Sequence, residues 1–201
     1  VSEKNRARIV LVCGGSGTGK SAWVKREIAK ARRLLVWDVT GEYARAGLTP
    51  LSSCAELVAA IRAPAGRLAF VPHPTAKRGL SSLFDFWSRC AYAWAGATIV
   101  AEELADVTTP AKAPEGWGMV IRRGRHRGLA VYAVTQRPAE SDKTTVGNAT
   151  LIHCCRLKRA TDRAYMAREM GIDQSRLDAL APLDWLESDD RGRVKAGKLT
   201  F

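Results

Sequence analysis

Residues 14–21 read Gly14-Gly15-Ser16-Gly17-Thr18-Gly19-Lys20-Ser21, a glycine-rich run closed by a lysine and a hydroxyl. The spacing is G-x-x-x-x-G-K-[ST], and each residue type in it suits a chain of phosphates. Glycines let the backbone wrap close to an anion with successive N–H groups turned inward. Lys20 then reaches the β- and γ-phosphates, while the Ser21 hydroxyl ligates Mg²⁺. Such a motif carries meaning only between a strand and a helix. Here the apolar run 8–13 precedes it and a helical pattern over 22–31 follows, whose N-terminus adds its positive dipole end. The pattern predicts a site for a nucleoside triphosphate, ATP with Mg²⁺.

More polar residues stand just past apolar runs, where open α/β sheets bind their ligands. Asp38 ends the second run, Glu102 and Glu103 the fourth, and Gln136 the fifth. The adjacent acids fit a second nucleotide motif, in which one carboxylate stands beside Mg²⁺ and the other polarises a water for attack on the γ-phosphorus. That motif normally reads Asp-Glu, so Glu102 is a departure and the register stays open by one residue. Two acids capping the next turn would leave the same trace. Gln136 is placed to sense the γ-phosphate or to position the attacking water. The run 122–128, Arg-Arg-Gly-Arg-His-Arg-Gly, offers an arginine to the charge that builds on a transferred phosphoryl group, supplied from a neighbouring subunit. A solvated basic turn, or a contact to a nucleic-acid backbone, is equally physical. Arg125 and Arg122 are the candidates for that finger, with Arg156 as a third.

Alternating strand and helix patterns must position these groups. Strands are expected over 8–13, 34–37, 68–71, 98–101, 129–134 and 150–155. Helices are expected over 22–31, from a Ser53 cap to about 62, over 80–95, 117–123 and 161–170, the last stopped by Gly171. Residues 184–201 read as a terminal hairpin with a polar turn. This alternation predicts one α/β domain over 1–201, a mainly parallel sheet flanked by helices, with a core at 8–181 and the short hairpin after it.

Composition narrows the partners. At 201 residues, nearly half of them hydrophobic, the chain can bury a sizeable core. No apolar run approaches the ~20 residues that span a bilayer, and no signal-peptide pattern opens the sequence. The expectation is therefore no direct membrane insertion. Five cysteines lack metal-ligand spacing, and Cys154 and Cys155 are adjacent; they read as core residues of a reducing compartment. A net charge of +12 exceeds what a nucleotide site needs and suits a polyanionic partner. Composition alone leaves a merely basic protein equally open.

With those residues in view, the chain resembles the FtsK–HerA superfamily of DNA-pumping ATPases, most of all the genome-packaging ATPases of membrane-containing double-stranded DNA viruses. The likeness is carried by residues 14–21, by Asp38-Val39-Thr40-Gly41-Glu42-Tyr43, by residues 99–103, by the run 122–128, and by Thr135-Gln136-Arg137-Pro138. The resemblance implies a RecA-like P-loop NTPase core, a hexameric homo-oligomeric ring, and double-stranded DNA threaded through it. It also implies a viral portal or membrane-vertex protein as a partner, and a location in host cytoplasm or at the virion packaging vertex. It makes Lys20 and Ser21 the phosphate and Mg²⁺ ligands, Glu102 the acid beside the metal, Glu103 the base, Gln136 the sensor, and Arg125 or Arg122 the finger.

Three other readings compete. The assembly ATPases of filamentous phage that resemble zonula occludens toxin share the region around residues 126–128 and 135–136, but usually carry a transmembrane segment. A small-molecule kinase would need an acceptor-binding lid, for which no pattern is visible. A non-catalytic nucleotide-gated module would not need a base, a sensor and a finger.

Overall fold

Apolar strand runs without polar alternation must be covered on both faces, which requires a parallel sheet between two helical layers. The computed structural model describes residues 8–200, and its nine strands run in the order β3-β4-β2-β5-β6-β1-β7-β8-β9. Residues 1–7 of the expected domain, and Phe201 of the expected hairpin, lie outside the described residues. The strands are β1 (Arg8–Cys13), β2 (Arg33–Trp37), β3 (Thr49–Leu51), β4 (Gly66–Phe70), β5 (Thr98–Ala101), β6 (Ala130–Thr135), β7 (Leu151–Cys155), β8 (Asp184–Asp189) and β9 (Val194–Lys198). The first seven pair in parallel; β8 and β9 add antiparallel beyond β7.

Alternate residues serve opposite faces. Leu11, Leu35, Ile99 and Val131 join the larger core, under α4 (Leu80–Ala93), α5 (Glu115–Arg123) and α7 (Ala160–Met170). Val10, Val36, Val100 and Val134 join the smaller one, under α1 (Lys20–Glu27) and α2 (Glu42–Arg45). Phe84 anchors the larger core, its ring centroid 5.1, 5.5 and 5.2 Å from those of Trp37, Trp87 and Trp117. Three further short helices are α3 (Cys54–Ala60), α6 (Lys143–Gly147) and α8 (Ser175–Asp178). As expected, Ser53 caps α3, here with a reciprocal bond from Glu56.

The short helices α2, α6 and α8 were not expected, and two further departures bear on the site. β3 was not expected, because Pro50 interrupts it; at the sheet edge a missing N–H is tolerated. Glu102 and Glu103 therefore follow the fifth strand and Gln136 the sixth. Next, α1 ends at Glu27 instead of continuing to 31. Arg67 Nη1 takes the carbonyls of Ile28, Ala29 and Ala31 at 3.2, 3.1 and 2.7 Å, holding that turn out of the helix. The C-terminal hairpin forms as expected, from β8 and β9. It extends the sheet through β7, and Leu199 beyond it reaches Gly19, where an added Cβ would stand 2.7 Å from Leu199 Cδ2.

The α4–α5 contact depends on Gly116. A Cβ there would meet the Asp85 carbonyl oxygen at 2.5 Å, and the Gly116 N–H already donates to Asp85 Oδ1 at 2.7 Å. Gly116→Ala should cost about 1–3 kcal/mol and lower Tm by several degrees. Gly118→Ala, whose Cβ would first meet the exposed guanidinium end of the long Arg122 side chain, should be tolerated. Equal Tm values for the two variants in thermal melts would contradict this packing.

Candidate functional site

β1 lies between β6 and β7, in register with both, so the chain leaves it with backbone partners on either side. Gly14 N–H donates to the Thr135 carbonyl at 3.3 Å and Gly15 N–H to the Arg156 carbonyl at 2.8 Å. The loop then curls through Gly17 (φ 73°) and Gly19 (φ 95°), left-handed conformations that favour glycine. Thr18 Oγ1 and Lys20 Nζ both donate to the Gly15 carbonyl, at 2.8 and 2.7 Å. The ammonium is thus folded back over the loop and buried. α1 starts at Lys20, so its first N–H groups face the same space.

That space is a cavity of about 530 Å³. It brings together Ser16, Gly17, Thr18, Gly19, Lys20 and Ser21 with Glu102, Glu103 and Gln136, which the sequence placed near one ligand. Gly14 and Gly15 form the loop's entry, with Gly15 facing an adjoining cavity. Asp38 is not among the lining residues. It is fully buried, and its Oδ2 accepts from the N–H groups of Tyr43 and Ala44 at 3.0 and 2.9 Å, holding the first turn of α2.

The two acids differ sharply. Glu102 is buried, and Tyr43 Oη donates to its Oε1 at 2.5 Å. Burial pushes its pKa up to about 7; the Tyr43 hydroxyl pulls the other way, neighbouring Glu103 raises it and Lys20 lowers it. Glu103 is more open and sits at φ 48°, ψ 52°, a left-handed conformation costing roughly 1–2 kcal/mol for a residue with a side chain. Gln136 Nε2 donates to its Oε1 at 2.5 Å. One carboxylate oxygen is thereby held, leaving the other for a different partner. Tyr43 and Glu42 complete the site. Glu42 lines the cavity and pairs with Lys25 at 2.5 Å. Neither was singled out chemically from the sequence; their place in the Gly-Glu-Tyr element was the available signal.

For a hard cation, the Ser21 hydroxyl and the Glu102 carboxylate supply oxygen donors on the same cavity. Among the described residues, no group of three or more His, Cys, Asp or Glu forms a metal cage. A Mg²⁺ here fits the usual pattern of few protein ligands completed by phosphate and water.

Arg122 and Arg125 lie elsewhere. They precede β6, at the entering ends of the strands, whereas the cavity lies at the leaving ends. A six-residue strand separates the two by about 20 Å, so neither reaches its own chain's phosphate site. Both are exposed. Arg156, in contrast, flanks its own loop.

Because Glu102 binds its proton more tightly folded than unfolded, its contribution to stability falls as pH rises from the ordinary carboxylate value of 4.5 to about 7. Glu102→Gln removes that penalty. The ligand-free variant should match wild type near pH 4, below the ordinary carboxylate value, and exceed it at pH 8, by on the order of 3 kcal/mol. A Tm difference that does not change with pH would contradict the assignment.

No family model matches the chain. Among solved structures, the genome packaging NTPase B204 of Sulfolobus turreted icosahedral virus 2 in complex with AMPPCP superposes with a TM-score of 0.79. It is 15% identical and covers 99% of this chain and 100% of that one. The N-terminal domain of zonular occludens toxin from Neisseria meningitidis superposes less closely, with a TM-score of 0.54 at 17% identity over 96% and 94% of the two chains. Protein P9 of Pseudoalteromonas phage PM2 is 30% identical over 198 residues, 95% of this chain and 90% of that protein. The chain belongs to the family of that phage protein, on a RecA-like P-loop NTPase fold.

Proposed function

We propose that this chain hydrolyses ATP to drive double-stranded DNA, as the packaging motor of a viral genome. One observation carries the reading: a complete phosphate loop, two acids and a glutamine converge on one cavity, in a basic chain that superposes over its whole length on a genome packaging NTPase. The lower similarity to the zonular occludens toxin domain makes phage assembly the weaker alternative. No helix among the described residues is long and apolar enough to cross a membrane.

In this cycle the loop N–H groups and Lys20 hold the β- and γ-phosphates, with Lys20 leaving the Gly15 carbonyl to do so. Mg²⁺, held by Ser21 and through water by Glu102, would neutralise charge on those phosphates. Glu103 takes the proton of the attacking water, and Gln136 fixes the carboxylate that receives it. Water oxygen bonds to the γ-phosphorus as the bond to ADP breaks. Asp38 acts through structure: it holds α2, whose Tyr43 orients Glu102. Arg125, or Arg122, reaches a neighbour's γ-phosphate, a role that its distance from its own site leaves open to it. A homo-oligomeric ring, hexameric in this proposal, then works at the virion packaging vertex or in host cytoplasm, docked on a portal or membrane-vertex protein.

Lys20→Ala should lower ATP turnover by ~100-fold or more, and long duplex DNA should stimulate wild-type turnover. Normal turnover in the variant would remove the site assignment; phosphate transfer to a small acceptor instead of water would remove the motor. Arg125→Ala should keep ATP binding and lose turnover by ~10³-fold. Mixing it with Glu103→Gln subunits should restore part of the rate, because each supplies what its neighbour lacks. Absence of such complementation, in Arg125→Ala and Arg122→Ala alike, would rule out either of them as an arginine acting between subunits.

A further inference from the structure

Beside the phosphate cavity lies a larger one of about 870 Å³, at the leaving ends of β6 and β7. Ser16, Thr18 and Gln136 line both. Five lysine and arginine side chains line the larger cavity against two aspartates. Some of that charge is already engaged. Arg163 bonds Asp178 and the carbonyls of Leu157 and Lys158; Arg137 bonds Asp162 and Glu140. Arg159 is only 3.7 Å from Glu140, and both are exposed. Arg156 and Lys158 pair with no acid among the described residues. Leu157 between them is buried, which turns both cations outward on an anchored segment.

This segment is tied directly to the phosphate loop. The Arg156 carbonyl accepts from Gly15 N–H at 2.8 Å, and the Gly15 carbonyl accepts from Lys20 Nζ at 2.7 Å. Displacing residues 156–158 must therefore displace the backbone that Lys20 rests on. We propose that Arg156 and Lys158, supported by Arg159, grip the phosphate backbone of duplex DNA in the cavity beside the ATP site. The inference rests on the function proposed above. Unpaired, outward cations suit a polyanion that releases counterions on binding. Contact to phosphates alone gives the sequence-independent hold that moving along DNA demands. The two-bond path through Gly15 couples that hold to the nucleotide.

The test uses the full chain and a fluorescein-labelled linear duplex of mixed sequence, with affinity measured across a salt series. Arg156→Ala/Lys158→Ala should weaken binding at least ~10-fold at moderate salt, and should flatten the log K against log salt slope by about 2. In Lys158→Ala alone, ATP turnover without DNA should stay unchanged and the DNA-stimulated increment should fall. Arg191→Ala/Lys195→Ala, on the exposed hairpin, removes the same charge and should leave affinity and slope near wild type. Equal binding by the two double variants would overturn the inference. So would loss of DNA-free turnover with affinity intact, which would place Arg156 at ATP, or loss of assembly with affinity intact, which would make the cavity a seat for a neighbouring subunit. A wild-type chain that binds no duplex at any salt would overturn the motor and the grip together; wild-type binding with an unaffected variant overturns the grip alone.

Discussion

The hydrogen bonding of β1 to strands on both sides is the constraint from which the site follows. Because β1 pairs in register with β6 and β7, its last residue emerges level with that of β6 and one residue short of that of β7. Gly14 and Gly15 then bond back to Thr135 and Arg156, the residues that end or follow those two strands. The loop is suspended from its neighbours before it turns. The β5–β6 pairing carries the alignment one strand further, with Ala101 opposite Ala133, and delivers Glu102 and Glu103 to the same rim. Groups distant in sequence meet because four strand ends each lie within two residues of their neighbour in register, which is a property of backbone pairing more than of side chains.

Charge is then divided by depth. Glu102 is enclosed with Lys20 and the Tyr43 hydroxyl nearby, where low dielectric strengthens each interaction and raises the cost of an unpaired charge. The exposed arginines and lysines remain in water, available to a diffuse partner such as a phosphate backbone. Glu103 belongs to neither setting. It stands at the end of its strand in a left-handed conformation, with Gln136 from the next strand on its carboxylate. An arrangement both costly for the backbone and tightly hydrogen-bonded is characteristic of sites where geometry serves chemistry.

Most of the central sheet was legible in the sequence because its strands are buried on both faces and read as unbroken apolar runs. The phosphate loop and the acids were legible for a related reason, since each interrupts such a run at its end. Other features depend on contacts that a local pattern does not contain. β3 was hidden by Pro50, and the early end of α1 by Arg67 arriving from another strand. Asp38 was visible as a polar residue past a strand, yet its direction was not; it turns to the N–H groups of α2 instead of to the cavity. Tyr43 is the converse. Its aromatic ring reads as core, and only the folded chain brings its hydroxyl to Glu102.

The contact between Gly19 and Leu199 ties the two ends of the described chain together. Residues of the phosphate loop leave the ribosome well before Leu199, which forms one wall of their surroundings. So many long-range parallel pairings, closed by that final contact, give a high contact order and slow, all-or-none acquisition of structure. A nascent chain therefore carries its nucleotide loop without the packing that shapes it until Leu199 has emerged, and competence arrives at once.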